Sequence, residues 1–301
     1  MQSRPVAAGR RVLRAAVATL AAFGFVIGVQ VTLIHLQTDP LADVRAYYDA
    51  GARLNAGLSL YEQPAGMDDP DFYRYPPLLA IAFRPLALLP FEAAAAIWEG
   101  LVIAAFAVTL KRTGIGRRTL AAIGLLAFPI GWSLVIGQAQ VPVTMLMAIG
   151  SPWALALATH LKLLPALAAV WWLGRGDRRS MGRFLAWVAG LTLLQLVLEP
   201  RGSLAFPSFL SLDQVGGVRN WSLYAISPVV WLAVVAGGTL IALRLASTRY
   251  GWAAAVVLSV LATPRLLLYQ LMSLLAALRA PDATPERNPA PAVVQARSTV
   301  A

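Results

Sequence analysis

Two charged side chains stand out in a sequence made mostly of alanine, leucine and valine: Asp43 and Lys162. Asp43 opens an aromatic run, Asp43-Val-Arg-Ala-Tyr47-Tyr48-Asp-Ala-Gly51. An ionised carboxylate there has the minimum needed for general-base chemistry, because it can take a proton from an incoming hydroxyl. The alternative is that Asp43 merely complements the dipole of a helix start, which itself favours the ionised form. Lys162 has about ten apolar residues on either side. A lysine within a membrane helix costs about 2.5 to 3.5 kcal/mol on insertion scales, so it faces a cavity or partner unless it snorkels to the interface.

Other groups carry weaker signals. Phe72-Tyr-Arg74-Tyr75-Pro76-Pro77 sets two tyrosines and an arginine at the entrance of an apolar segment, and its prolines disfavour helix before them. Such a corner could hold a sugar and a phosphate, or be a plain loop-to-helix turn. Asp68-Asp69-Pro70-Asp71 has carboxylates of the type that bind hard cations, but a solvated acidic loop has the same composition, and no metal site is expected. His160, two residues from Lys162, points to a different side of a helix and suits packing as well as chemistry. His35 ends the first apolar run at the interface. Asn220-Trp221-Ser222 matches a glycosylation sequon and Gly24-x-x-x-Gly28 a close-packing spacing, both common by chance.

The elements that position these residues follow from composition. With 58% hydrophobic residues, 13% charged ones and a mean hydropathy of +0.67, the chain has a bilayer as its solvent. The net charge of +11 is almost all arginine, with Lys111 and Lys162 the two lysines. These cations lie between apolar runs rather than on one soluble face, where they set membrane orientation and argue against nucleic acid as a partner. The absence of cysteine excludes a disulfide framework, a thiolate nucleophile and Cys-ligated metal sites.

A membrane-spanning helix needs about 20 apolar residues. Candidates are 15 to 36, 91 to 110, 119 to 136, 152 to 173, 184 to 198 (short), 226 to 246 and 251 to 278, with shorter pieces at 77 to 90 and 139 to 150. The expectation is an all-α polytopic membrane protein of about 8 to 9 membrane helices or half-helices. Breaks are expected around Gly150-Ser151-Pro152 and at Thr263-Pro264. Gly9-Arg-Arg resembles a twin-arginine export signal, but the following run is too long and lacks a cleavage site, so a retained first helix is expected. Residues 1 to 280 read as one integral-membrane domain and 281 to 301 as a disordered cytoplasmic tail. By the positive-inside rule the arginine-rich turns and both termini are cytoplasmic, which puts 37 to 75 and 199 to 225 outside the cell's inner (plasma) membrane. Half of the fourteen acids fall between Asp39 and Asp71, in that first external loop.

Within the loop, Asp39-Pro40 reads as a helix cap and first residue, with the helix running to Asn55 and stopping at Gly57. Asp43, Tyr47, Ala50 and Leu54 share one face of it. Asp49 falls on another.

The order of motifs along the chain resembles glycosyltransferase family 87, membrane enzymes of the GT-C type that use polyprenyl-phosphate mannose. The resemblance rests on Asp43-x-x-x-Tyr47-Tyr48-x-Ala50-Gly51, Leu54-x-x-Gly57-x-x-Leu60-Tyr61, Tyr75-Pro-Pro-Leu-Leu and Pro85-Leu-Ala-Leu-Leu-Pro90. Gly137-Gln138, Leu161-Lys162-Leu-Leu-Pro165, Asn220-Trp-Ser222-Leu and Pro264 with Tyr269 continue it. It implies a GT-C-like helical bundle with a helical, catalytic first external loop. By position, Asp43 would be the base that deprotonates the acceptor hydroxyl in an inverting transfer. Lys162, Arg219, Arg265 and Arg74 would meet the donor phosphate, since preorganised cations best stabilise charge that develops there. Tyr47, Tyr48, Tyr61, Tyr75, Gln138, His160, Asn220 and Tyr269 would contact sugar or acceptor. The implied partners are membrane lipids, the polyprenyl-phosphate sugar as donor and a glycolipid or polysaccharide acceptor, with no cofactor. Two rivals stand beside this reading. One is a lipid-handling carrier whose Lys162 binds a phosphate head group, although no inverted repeat is visible. The other is a shortened, non-catalytic homologue, because the chain stops soon after Thr263-Pro264 where the family continues.

Overall fold

The computed structural model describes residues 4–62, 69, 72–209 and 219–279. Asp68 and Asp71 of the acidic loop and the expected tail at 281–301 lie outside the described residues. In chain order, α1 (Arg4–Thr38) leads into the loop helix α2 (Ala42–Asn55), the short α3 (Pro77–Phe83) and the long α4 (Phe91–Thr113). Next come α5 (Arg117–Leu125), α6 (Ala127–Val135), α7 (Gln140–Ile149), α8 (Pro152–Leu161) and α9 (Val170–Gly174). Then follow α10 (Arg178–Leu198), α11 (Pro200–Phe209), α12 (Leu223–Ile226), α13 (Pro228–Leu245) and α14 (Gly251–Leu261). Runs of 3-10 helix occupy Leu86–Leu88, Leu164–Ala169 and Leu268–Leu278, and no strand occurs among the described residues.

The chain is an all-α polytopic membrane protein. Four helices, α1, α4, α10 and α13, are long and apolar enough to cross a bilayer, and shorter apolar helices lie among them. Most of their large side chains face outward, and α13 buries only Ala242. A soluble core would reverse that pattern, while lipid accepts it.

Several expected spans take a different form. The 119 to 136 run is a pair, α5 and α6, bent by 68°; Pro129 has no N–H to offer the Leu125 carbonyl, which favours the break. The 152 to 173 run is not one span. Pro165 likewise leaves the Leu161 carbonyl without an intrahelical donor, α8 stops, and Lys162 is extended at φ −151°, ψ 129°. Lys162 therefore sits at a helix break rather than in mid-helix. The 184 to 198 run is not short: α10 extends over 21 residues because Asp177 caps it, accepting from the Ser180 N–H at 3.0 Å. The breaks expected at Gly150 and at Thr263-Pro264 are both present.

Asp39 does not cap α2. Its carboxylate instead accepts from Thr38 Oγ1 at 2.7 Å and pairs with His35 Nδ1 at 2.6 Å, and α2 starts at Ala42. The Leu41 and Asp43 N–H groups donate to the carbonyls of Val135 and Ile136, at 3.0 and 3.1 Å. The unpaired amides of one helix start thus satisfy unpaired carbonyls of another helix end, which makes a side-chain cap unnecessary. The expected stop at Gly57 holds, with φ 69°.

Packing places α7 at the centre, against α4, α8 and the run Leu268–Leu278. One buried cluster joins α2, α3 and α4 through Tyr47, Leu79, Phe83 and Trp98. A second joins α7, α8, α10 and α14 through Leu146, Leu155, Phe184 and Val256. Gly24 and Gly28 do allow close packing: a Cβ on Gly24 would lie 2.5 Å from the Gly124 carbonyl oxygen, and one on Gly28 2.5 Å from Ala127.

Candidate active site

The site is assembled where α6 gives way to α7. Gly137 ends α6 in the left-handed region, φ 67°, with its N–H donating to Leu134 and that of Gln138 to Ser133. This double closure is the Schellman arrangement, which requires a residue tolerant of positive φ. Any side chain at 137 would also run into Val44 and Glu99. The turn directs the Gln138 side chain, fully buried, toward α2.

Gln138 Oε1 accepts from the hydroxyls of Tyr47 and Tyr75, at 2.8 and 2.9 Å. With its oxygen so occupied, the amide nitrogen must face the other way, and it donates to Asp43 Oδ2 at 2.9 Å. The Tyr75 hydroxyl also lies 3.5 Å from Asp43 Oδ1. Burial raises the Tyr75 phenol well above its ordinary range, so it stays a donor. Burial also pushes the Asp43 carboxyl up to about 6, against the opposing pull of Lys162, Arg74 and the Tyr75 hydroxyl. A carboxylate poised there is ionised at neutral pH yet basic enough to accept a proton.

Two cavities adjoin this centre. The outer one, about 330 Å³, is lined by Asp43, Arg219 and Trp132 among others. The inner one, about 230 Å³, is walled largely by apolar residues such as Met147, Leu164, Phe206 and Val260, with Lys162 among them. They share Arg74, Tyr75, Arg265, Leu267 and Tyr269. Tyr75 touches both centres, with its hydroxyl near Asp43 and its ring centre 5.2 Å from Lys162 Nζ. Tyr269 flanks the ammonium at 4.9 Å. The arrangement juxtaposes a carboxylate, a group of cations and an apolar recess, a combination that can take a ligand with an anionic head and an apolar tail.

The structure therefore brings together Asp43, Arg74, Tyr75, Lys162, Arg219, Arg265 and Tyr269. Tyr47 and Gln138 support Asp43 from behind and line neither cavity. Four expected contacts lie elsewhere. Tyr48 faces away from Asp43, donating to the Leu89 carbonyl at 2.8 Å and packing edge-on against Phe91. Tyr61 stacks on Phe209 at 4.5 Å and donates to the Tyr75 carbonyl. His160 bridges the Ala156 carbonyl and Thr192, joining α8 to α10. Asn220 ties its own loop to the 262–267 break, donating to the Pro264 carbonyl and accepting from the Leu266 N–H.

Gln140 and Ser273 were not among the expected residues. Gln140 Oε1 accepts from Lys162 Nζ at 2.8 Å, and Gln140 Nε2 donates to Ser273 Oγ at 2.5 Å. A glutamine two residues after Gln138 and a serine inside an apolar run were the available signals. Among the described residues no group of three His, Cys, Asp or Glu side chains could hold a metal ion.

The sequence profile of glycosyltransferase family 87 matches residues 72–284, which contain every cation named above but begin after Asp43. Over 152 residues the chain is 32% identical to a polyprenol-phosphate-mannose-dependent alpha-(1-2)-phosphatidylinositol pentamannoside mannosyltransferase of Mycolicibacterium smegmatis, covering 44% of this chain and 37% of that protein. A polyprenol-phosphate-mannose-dependent alpha-(1-2)-phosphatidylinositol mannoside mannosyltransferase of Mycobacterium tuberculosis is 32% identical over 192 residues, 53% of this chain and 44% of that protein. The matches span less than half the length of these curated relatives. No solved structure matches the chain. Because the profile covers more than two thirds of the sequence, including the wall shared by the two cavities, the chain belongs to glycosyltransferase family 87.

Proposed function

We propose that this protein is a membrane-embedded, GT-C-like hexosyltransferase that moves mannose from a polyprenyl phosphate to a lipid-linked or cell-envelope glycan acceptor. The observation that carries the reading is the Asp43 carboxylate, held by Gln138 at the outer cavity, with Arg74 and Arg265 in the wall between it and the apolar recess at Lys162. The isoprenoid chain occupies the inner cavity, and the phosphate lies at the shared wall. The acceptor hydroxyl enters the outer cavity.

Asp43 takes the hydroxyl proton as the acceptor oxygen bonds to the anomeric carbon. The bond from that carbon to the phosphate oxygen breaks from the opposite face, so the configuration inverts. The departing polyprenyl phosphate carries one more negative charge than the donor did, and Lys162, Arg74 and Arg265 stabilise it as it develops. Side-chain cations do this work in the proposal, which assigns no role to a metal or cofactor. The arginine-rich ends of α4, α9 and α13 face the cytoplasm of the inner membrane, and the Asp43 cavity faces outward.

The test is incubation of membranes containing the protein with labelled polyprenyl-phosphate mannose. Wild type should form a labelled glycolipid or glycan, and Asp43→Asn should lower transfer by roughly 10²- to 10⁴-fold while still reaching the membrane. Undiminished transfer by Asp43→Asn would remove the base from the mechanism.

A further inference from the structure

Gln140 begins α7 and is 5% exposed. A buried amide costs stability unless its groups are paired, and here the pairing also sets a direction. Thr144, one turn along α7, donates to the Gln140 backbone carbonyl at 2.7 Å. In the 3.1 Å contact between the Thr144 and Ser273 hydroxyls, the proton is therefore that of Ser273. The Ser273 oxygen is left as acceptor for the Gln140 amide nitrogen, which turns the amide oxygen toward Lys162. With the amide reversed, N–H groups would face the ammonium. Thr144 and Ser273 are both buried, so water does not compete for these bonds.

Lys162 is reached by this network from one side and flanked by the rings of Tyr75 and Tyr269 on the other. Among the described residues Gln140 is its one hydrogen-bond partner, so two of its three N–H donors remain for a ligand. Its four-carbon stem would otherwise let the ammonium range over several positions at the mouth of the inner cavity.

We infer that Gln140 and Ser273 are positioning residues that hold the Lys162 ammonium against the donor phosphate. This rests on the reading of Lys162 as a donor-phosphate cation. Neither residue touches the reacting atoms; they act by removing the search for the right cation position at the moment charge develops. Because that charge grows on the way to the transition state, loss of the anchor weighs on kcat more than on the KM for donor.

The experiment uses the purified full chain with polyprenyl-phosphate mannose as varied substrate and a membrane lipid extract as acceptor. Gln140→Met, Ser273→Ala and Lys162→Met are measured alone, and the first two also in the Lys162→Met background. The expected result is a kcat lowered on the order of tenfold by Gln140→Met, a smaller change in KM, and no further loss when Lys162 is already absent. An equal loss in both backgrounds, or a rise in KM alone, would overturn the inference while leaving the transferase reading intact. Absence of mannose transfer by wild type overturns that reading and this one with it. Transfer undiminished by Lys162→Met overturns the role of Lys162 and hence of its anchor. Should Gln140→Met fail to fold, Ser273→Ala carries the same cycle and the same outcomes.

Discussion

Gln138 and Gln140, separated by a single alanine, hold the two opposite charges of the site: Gln138 donates to Asp43 at 2.9 Å and Gln140 accepts from Lys162 at 2.8 Å. Each amide is oriented by hydroxyls behind it, Tyr47 and Tyr75 in one case and Ser273 in the other. One short stretch of backbone, anchored by the Gly137 turn, therefore sets where the carboxylate and the ammonium stand relative to each other. Four consequences are open to measurement.

Transfer should follow the ionisation of Asp43. Its carboxyl is raised to about 6, so activity should be low near pH 5 and rise through about pH 6. Gln138→Met removes a hydrogen bond to the charged form, which raises the carboxyl further and moves the acidic limb to higher pH. A pH–rate profile of the two proteins checks this. Stability runs the other way: a carboxyl raised above its unfolded value of 3.8 favours the fold at low pH and loses that contribution as pH rises through about 6. Asp43→Asn should therefore show an unfolding temperature at pH 7 no lower than wild type.

Gly137→Ala should be destabilised beyond an ordinary surface change. A residue with a side chain in the left-handed region costs on the order of 1 kcal/mol or more, and the added carbon meets Val44 and Glu99. Thermal unfolding in detergent should show the loss. Transfer should fall as well, because Gln138 leaves the turn on a different heading.

Lys162→Met should lower kcat by roughly 10²- to 10³-fold, the range seen when a group that stabilises developing charge is removed. Lys162→Arg should not restore wild-type activity, since a planar guanidinium does not fit the place of a compact ammonium between two rings. Donor-saturation kinetics on both variants provide the check.

Tyr48→Phe should behave as a local structural change. It loses the hydrogen bond to the Leu89 carbonyl, worth about 0.5 to 1.5 kcal/mol, and transfer should stay within about twofold of wild type because Tyr48 packs on Phe91 and away from Asp43. Unfolding temperature and transfer assay together separate the two effects.

Much of this was legible in the sequence. The length of the apolar runs and the placement of arginine at their ends were enough for a polytopic membrane protein, because lipid constrains both. Helical periodicity puts Asp43 and Tyr47 on one face of α2, and a lysine deep in an apolar run points to a cavity. Proline at 165 was visible too, yet its effect on Lys162, a helix break and not mid-helix, depends on backbone pairing that the run of apolar letters does not reveal. What only the tertiary structure decided was which polar side chains meet. Tyr48 is adjacent to Tyr47 and His160 is two residues from Lys162, yet both turn away, since helical neighbours in sequence project to different sides. Gln138 reaches Asp43 across 95 positions and Ser273 reaches Gln140 across 133, because the turn between α6 and α7 meets the start of α2 while α7 packs on the Leu268–Leu278 run. Periodicity tells which residues share a face of one helix; which helix that face meets is settled by packing, and the chemistry proposed for this site lies at those meetings.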